Sequence, residues 1–518
     1  MPELPARVIR YERLSVPPEH LGVLVEPAAA GILDAIRTPP ADAPCLDTTL
    51  AVLRAGLQAR LELHPPVIVT GHQPEFFHAG VFVKSIAADV VAHAHGGQAV
   101  FLAVDSDVPK ATRLVFPQQT AHGLRRVEVP IPGCDRGLPF EAQPRETRAA
   151  WLQFFASVAS LYEPNDQSLL PTFARGWLTT ADSSPEYCTA FAAAQEAALA
   201  ALGVAGTRER RMSHLCTTPE FRVFAAWLLL SAPRVAEAYN AAQAAYRRRH
   251  RVRTRGRPVP PLEVVAGRVE VPLWVQQSGQ PRRRLFVAPD AENLHLFADE
   301  THVGAVRSAE FSRAATHAQP WALEREGWQL RPRALALSAF ARLFLADLFI
   351  HGIGGAKYDE MMEDFITAVL GVPPGPVCCV TATAYLPLPH SGVGASDIAA
   401  ARHRSRDLRC NPQRHLTGVP AELVRQRTEL VRQAGELRTR QPQDHAARAA
   451  VFQALRRLNE QMLQLDPWRG AEYDQQVQTL ESQWQTDRLA RDREYFYALH
   501  PRETLEKLAA GVRGSLAV

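Results

Sequence analysis

Apolar positions along this chain follow two rhythms, and the switches between them mark its organisation. The run Pro66-Val67-Ile68-Val69-Thr70-Gly71 is short, β-branched and closed by glycine, the pattern of a buried parallel strand reaching its carboxyl end. Residues 80–93 then carry Val81, Val83, Ile86 and Val90 at helical spacing, and 98–104 is a second buried-strand run ending in Asp105-Ser106-Asp107. Strand, loop, helix and strand in this order predict a right-handed βαβ unit in a parallel sheet. Ligands of such sheets lie at the carboxyl ends of strands, so 70–80 and 105–110 are expected side by side at one mouth.

The rest of the chain is read in the same way. Residues 1–60 mix proline with short helical patches and form an N-terminal wrap. An alanine-rich stretch at 145–250, with Trp151, Phe154, Phe155, Phe191, Phe224 and Trp227, reads as a helical insertion. Runs at 264–271 and 285–287 suggest a small antiparallel element within 259–305. A helix over 334–350, a glycine turn, a helix over 358–369 and a strand over 377–385 return to the α/β pattern. From Pro420, Leu423, Leu430 and Leu437 recur every seven residues, and breaks at Pro442 and Pro467 divide the segment into about three helices. The expected fold is α/β: a Rossmann-like parallel sheet core (61–415) with helical insertions, and a C-terminal α-helical coiled-coil arm with a closing helix (416–518).

Composition narrows the function classes. A chain of 518 residues exceeds one hydrophobic core, and 46% hydrophobic with 22% charged residues is ordinary for a globular protein. A net charge of +4 gives no global reason for a nucleic acid partner. No window approaches twenty uninterrupted apolar residues and the start lacks a signal-type apolar core, so no membrane partner is expected. Seven scattered cysteines without C-x-x-C spacing fit a reducing compartment, and a cytoplasmic location is expected. The partner expected is a small-molecule substrate, and the coiled coil allows a homodimer.

Three segments carry candidate chemistry. Between Thr70 and Gly80, His72, Gln73, Glu75 and His78 crowd a strand end and a helix start, where backbone amides and the helix dipole favour anions. The bland alternative is a turn with one histidine capping the helix. Asp105, Asp107 and Lys110 follow the next strand, and the paired carboxylates could hold an ammonium, a sugar hydroxyl or Mg²⁺, or simply bond their own turn. His351, Gly352, Gly354, Gly355 and Lys357 form a glycine-rich entry to a helix of the kind that cradles phosphates, without the Walker A spacing. A run of seven arginines with His250 over 247–257 reads first as a solvated helix end or a clamp for an anionic small molecule. Cys378 and Cys379 lie in an apolar run and read as core.

At these motifs the chain resembles the bacillithiol synthase family, cysteine-adding enzymes of bacillithiol biosynthesis. The resemblance rests on Val69-Thr70-Gly71-His72-Gln73-Pro74, where the family reads T-G-Q-Q-x-G, and on Tyr239-Asn240, Tyr246-Arg247 and His250 with Pro272-Leu273-Trp274 downstream. It continues in Leu330-Arg331-Pro332-Arg333, in the glycine turn at 352–355 and in the late coiled coil. It implies a Rossmann core related to class I aminoacyl-tRNA synthetases, in which a His-x-Gly-His signature helps bind ATP. Here His78-Ala79-Gly80-Val81 lacks the second histidine, and the family's E-D-H-D stretch is Val104-Asp105-Ser106-Asp107. The expectation is a ligase that joins an amino acid, cysteine in the family, to an amine such as an amino sugar. ATP or ADP, and Mg²⁺, are the expected cofactors. His72, His78, Asp105 and Asp107 would be catalytic. Thr70, Gly71, Gln73, Gly80, Lys110, His351, Gly352, Gly354, Gly355 and Lys357 would bind substrate or nucleotide. A nucleotidyltransferase or sugar-modifying enzyme on the same core, and a non-catalytic assembly protein with a degenerate core, are the alternatives.

Overall fold

The computed structural model describes residues 9, 14–37, 40–121, 123–162, 167–180, 186–204, 207–254, 259–313 and 318–517. They form a mixed α/β protein with two compact units: 1–118, 127–386 and 493–518 in one, 119–126 and 387–492 in the other.

The first unit is built on a six-stranded sheet. Its strands in chain order are β1 (Val23–Glu26), β2 (Val67–His72), β3 (Gln98–Ala103), β4 (Thr207–Arg211), β5 (Leu348–His351) and β6 (Val377–Ala382), and they lie side by side as β1-β6-β5-β2-β3-β4. All pairs are parallel except β1 with β6. Leaving out the antiparallel edge, the order places β2 in the middle, with β3 and β4 to one side and β5 and β6 to the other. Strand order therefore reverses between β2 and β5. That point is where open α/β sheets place their ligands, outside the carboxyl ends.

The βαβ expectation holds: β2 leads through helix α1 (Ala79–Ala94) to β3. Two other expectations need correction. The stretch 334–350 is not one helix. A helix over Ala334–Phe340 and a π turn over Ala341–Leu345 end at Ala346, and Leu348–His351 is the central strand β5. Its first three residues are all apolar, so periodicity cannot separate a short buried strand from the end of a buried helix. The glycine turn is likewise the start of a helix: α2 (Ile353–Leu370) begins one residue after β5, with Gly352 as N-cap. The helical insertion also contains β4, whose sequence Thr-Arg-Glu-Arg-Arg carries no apolar signal because it is an edge strand.

Core packing follows the strand alternation. Val67, Val69, Val100 and Leu102 share one apolar cluster with Phe340, Phe344, Met361, Phe365 and the inner residues of a second sheet. That sheet is antiparallel, with neighbours in the order Thr301–Arg307, Asn293–Ala298, Arg283–Pro289, Arg268–Gln277 and Trp328–Pro332. Close approach of β2 to β3 needs Gly71, because a Cβ there would stand 2.6 Å from the Leu102 carbonyl oxygen.

The second unit holds helices α3 (Ala395–Cys410), α4 (Ala421–Arg440), α5 (His445–Leu463) and α6 (Pro467–Ala490). Helix α3 packs against α6 and α4 against α5. Leu408, Leu416, Leu458 and Met462 form its small core, with Leu423 and Leu430 of the heptad series against it. The chain then returns to the first unit, where helix α7 (Arg502–Leu516) packs on α1. No helix among the described residues is long and apolar enough to cross a membrane.

Candidate functional site

The mouth at the strand-order reversal is built from the ends of β2 and β5 and the starts of α1 and α2. Thr70 donates its hydroxyl to the Ile350 carbonyl oxygen at 2.9 Å, tying β2 to β5 at the last buried level below the opening. His78 is the N-cap of α1: its Nδ1 accepts from Gly80 N at 3.0 Å. That bond requires the neutral ring with its proton on Nε2, which stands 3.4 Å from Glu494 Oε2. Burial, with Arg493 and Lys84 nearby, pushes His78 down to about 3. Burial also lowers His72 well below its ordinary value; its Nδ1 lies 3.0 Å from the Gln73 carbonyl oxygen.

A lysine inside the helical pattern of α1 dominates this mouth. Lys84 is 3% exposed, and its ammonium donates to the Gly71 carbonyl oxygen at 2.6 Å. Its stem lies against Gly352, the N-cap of α2, so it reaches both sides of the reversal. An ammonium has three donors, and Gly71 takes one. Burial brings Lys84 down to about 7, with Cys379 opposing the shift and Lys110 adding to it.

A second cation comes from the returning C-terminal segment. Arg493 Nη2 donates to the Ala382 carbonyl oxygen at 3.0 Å and to Thr381 Oγ1 at 3.3 Å, and lies 3.5 Å from His78 Nδ1. It fits only because residue 80 is glycine: a Cβ would stand 2.6 Å from the Ala382 oxygen and 2.7 Å from Thr381 Oγ1, and would meet the guanidinium itself. Sequence reasoning missed Lys84 because it sits at a helical position among apolar residues, and Arg493 because no local pattern connects it to residue 80.

The post-strand loops do meet. Gln73 Nε2 donates to Asp107 Oδ2 at 2.8 Å, Lys110 Nζ to Gln73 Oε1 at 3.3 Å, and Lys110 N to Glu75 Oε1 at 2.7 Å. Asp107 also accepts from Val108 N and pairs with Arg282 at 2.9 Å, so its carboxylate is committed to holding the two loops together. Asp105 points away from that network and accepts from Ser213 N and Oγ. Among the described residues no group of three or more His, Cys, Asp or Glu side chains is placed to hold a metal ion.

The α2 side is different from its sequence reading. Gly354 and Gly355 are exposed residues of the first helical turn, with open space around Gly354, and Lys357 is half-buried one turn in. His351 Nε2 stands 3.2 Å from Asp359 Oδ2 of α2. The described part of the arginine run is also anchored here: His250 meets Glu360 at 2.6 Å, and Arg249 pairs with Glu360 and Asp364. Arg255 and Arg257 of that run lie outside the described residues.

A cavity of about 320 Å³ opens beside the mouth at the ends of β3 and β4, lined by Asp105, Glu141, Arg145, Glu186, Arg211 and Arg331 among others.

No family model matches the chain, and no curated protein matches it. Among solved structures, the methionyl-tRNA synthetase of Mycobacterium tuberculosis bound by methionyl-adenylate aligns over 82% of this chain and 90% of its own. The identity is 12% and the TM-score 0.21, a likeness too slight to carry an argument.

Proposed function

We propose that this protein is a nucleotide-assisted ligase that joins an amino acid carboxyl to an amine. The observation that carries this reading is Lys84, an almost wholly buried amine at the strand-order reversal with one hydrogen-bond acceptor. A buried ammonium is costly unless it is paired. An anion at the mouth would pair it, beside the N-terminus of α1 where the helix dipole favours negative charge. Arg493, whose Nε makes no hydrogen bond and lies 3.6 Å from Glu494 Oε1, stands at the same helix end. The residues present therefore fit a nucleotide's phosphates.

In this reading a bound nucleotide supplies the activation of a carboxyl group. Lys84 and Arg493 neutralise phosphate charge, and His78 keeps the first turn of α1 rigid, with its Nε2 facing Glu494. His351 and Lys357 flank the opposite wall. Asp107 acts as the clasp between the loops rather than as a ligand for the amine. The carboxylates after β3 do not fit a resident Mg²⁺, because Asp107 is spent on Gln73, Val108 and Arg282. The finer assignment suggested by the T-G-H-Q segment is cysteine as the amino acid and an amino sugar as the amine.

Thermal unfolding of the full chain with ATP or ADP tests the reading. A ligand at about one hundred times its dissociation constant adds roughly 2.7 kcal/mol, a shift of about 2 °C or more for a chain of this size. The shift should vanish in Lys84→Met. Absence of any nucleotide shift overturns the ligase. Pyrophosphate release without amide formation replaces it with the nucleotidyltransferase.

A second reading, assembly through the helical unit, is favoured by Phe452, Leu465 and Trp468, which are 68%, 50% and 80% exposed. Light scattering decides it: a dimer that Trp468→Glu converts to monomer supports it, and a monomeric wild type rejects it.

A further inference from the structure

The cavity at the ends of β3 and β4 holds an unbalanced charge. Asp105 is 1% exposed, yet among the described residues its carboxylate is met by a backbone amide and a hydroxyl of Ser213 and by no cation at ion-pair distance. Burial pushes its carboxyl above the ordinary range, with the Ser213 bonds opposing. A half-buried carboxylate on the wall is balanced: Glu141 receives Arg331 through both oxygens at 2.8 and 2.6 Å, and Gln276 at 2.9 Å. Asp105 alone is left to be met by whatever fills the cavity.

The rim carries a weakly held cation. Glu186 accepts from Arg211 at 3.0 Å and meets Arg145 at only 3.5 Å. Arg211 also meets Glu209 at 3.3 Å, so Arg145 is left with a single long contact and, being 64% exposed, has donors to spare. A buried carboxylate without a cation inside and a weakly paired guanidinium at the entrance suit a small molecule carrying both charges. The volume, about 320 Å³, suits a compact ligand.

We propose that this cavity binds a small zwitterion, with its ammonium on Asp105 and its carboxylate on Arg145. The inference deepens the ligase reading and rests on it for its purpose, since the site would present one of the two molecules to be joined. Asp107, which accepts from Gln73 of the mouth, lies two residues along the chain from Asp105.

Glycine and L-cysteine are the probes, with acetate and ethylamine as singly charged controls, each added to the full chain without nucleotide. The zwitterions should raise the melting temperature and the controls should not. Asp105→Asn and Arg145→Ala should each weaken zwitterion binding at least tenfold while leaving the ATP shift of the wild type intact. Equal shifts from acetate or ethylamine, no shift from either zwitterion, or zwitterion binding undiminished in both variants overturns the proposal. If Asp105→Asn fails to fold, the exposed Arg145→Ala decides alone. Zwitterion binding without any ATP shift overturns the ligase reading and leaves the cavity assignment standing.

Discussion

Helices α1 and α2 both start beside the strand-order reversal, and both bring charged side chains into the interior, but they treat those charges oppositely. On α2 every buried acid meets a cation. Arg342, 2% exposed, binds Asp359 and, at 2.8 Å, Glu363, while Arg249 and His250 take Glu360. The Asp359 carboxyl stays below its ordinary value although burial pushes it upward, because Arg342 and His351 together outweigh that push. On α1 the buried Lys84 has, among the described residues, one neutral carbonyl partner. The sum of charges buried says little about function; whether they cancel says a great deal. A cancelled cluster locks a helix to its neighbours, and an uncancelled one waits for a ligand.

The comparison is broken or sharpened by substitution. The largest expected effect is Arg342→Met, which strands Asp359 and Glu363 in the interior and should cost about 3–5 kcal/mol in urea unfolding. Lys84→Met should act in the opposite direction, raising stability by roughly 1–4 kcal/mol while abolishing the nucleotide shift. Its pH dependence has a fixed sign. The folded amine titrates near 7 and the unfolded one near 10.5, so the penalty is complete below about pH 7 and fades as pH rises towards 10.5. The advantage of the methionine variant should therefore be greatest near neutrality and shrink in alkali. A stability loss in Lys84→Met would place this lysine with the α2 cluster.

Smaller effects come from the histidines. His78 and His500 are held down to about 3 by burial, so from about pH 6.5 to 3 the unfolded chain takes up protons that the folded chain refuses. Stability should fall across that window by up to about 1.4 kcal/mol per pH unit for each histidine, and His500→Leu should remove one share. The smallest effect belongs to the helical unit, where the exposed pair Arg402–Glu481 at 2.6 Å should contribute under about 0.5 kcal/mol when Arg402 is changed to alanine.

The parts of this fold that show in the sequence are those whose local pattern has one solution. The segment from β2 through α1 to β3 is such a case: β-branched runs closed by glycine or aspartate flank a helical repeat. Strand β5 is not, since Leu348-Phe349-Ile350 suits a buried helix as well as a buried strand. Strand β4 is masked by its polarity, and β1 by its brevity. At the site, the meeting of Gln73 with Asp107 follows from the parallel sheet. The role of Arg493 depends on a contact that the intervening chain, more than four hundred residues of it, does not foreshadow (493 − 80 = 413). Lys84 is conspicuous only once its burial is known.

The return of the chain from the helical unit also fixes an order of events in synthesis. Phe496 bridges to His78, Tyr497 N donates to the Phe77 carbonyl oxygen, and the Tyr497 ring stacks on Phe82 with centroids 4.0 Å apart. A ribosome releases α1 long before it reaches these residues. The nascent core must therefore persist with the aromatic flank of α1 bare and its mouth one arginine short. Competence would arrive late and all at once, when translation delivers Arg493, and a prematurely terminated product would display Phe82 to chaperones instead of a finished site.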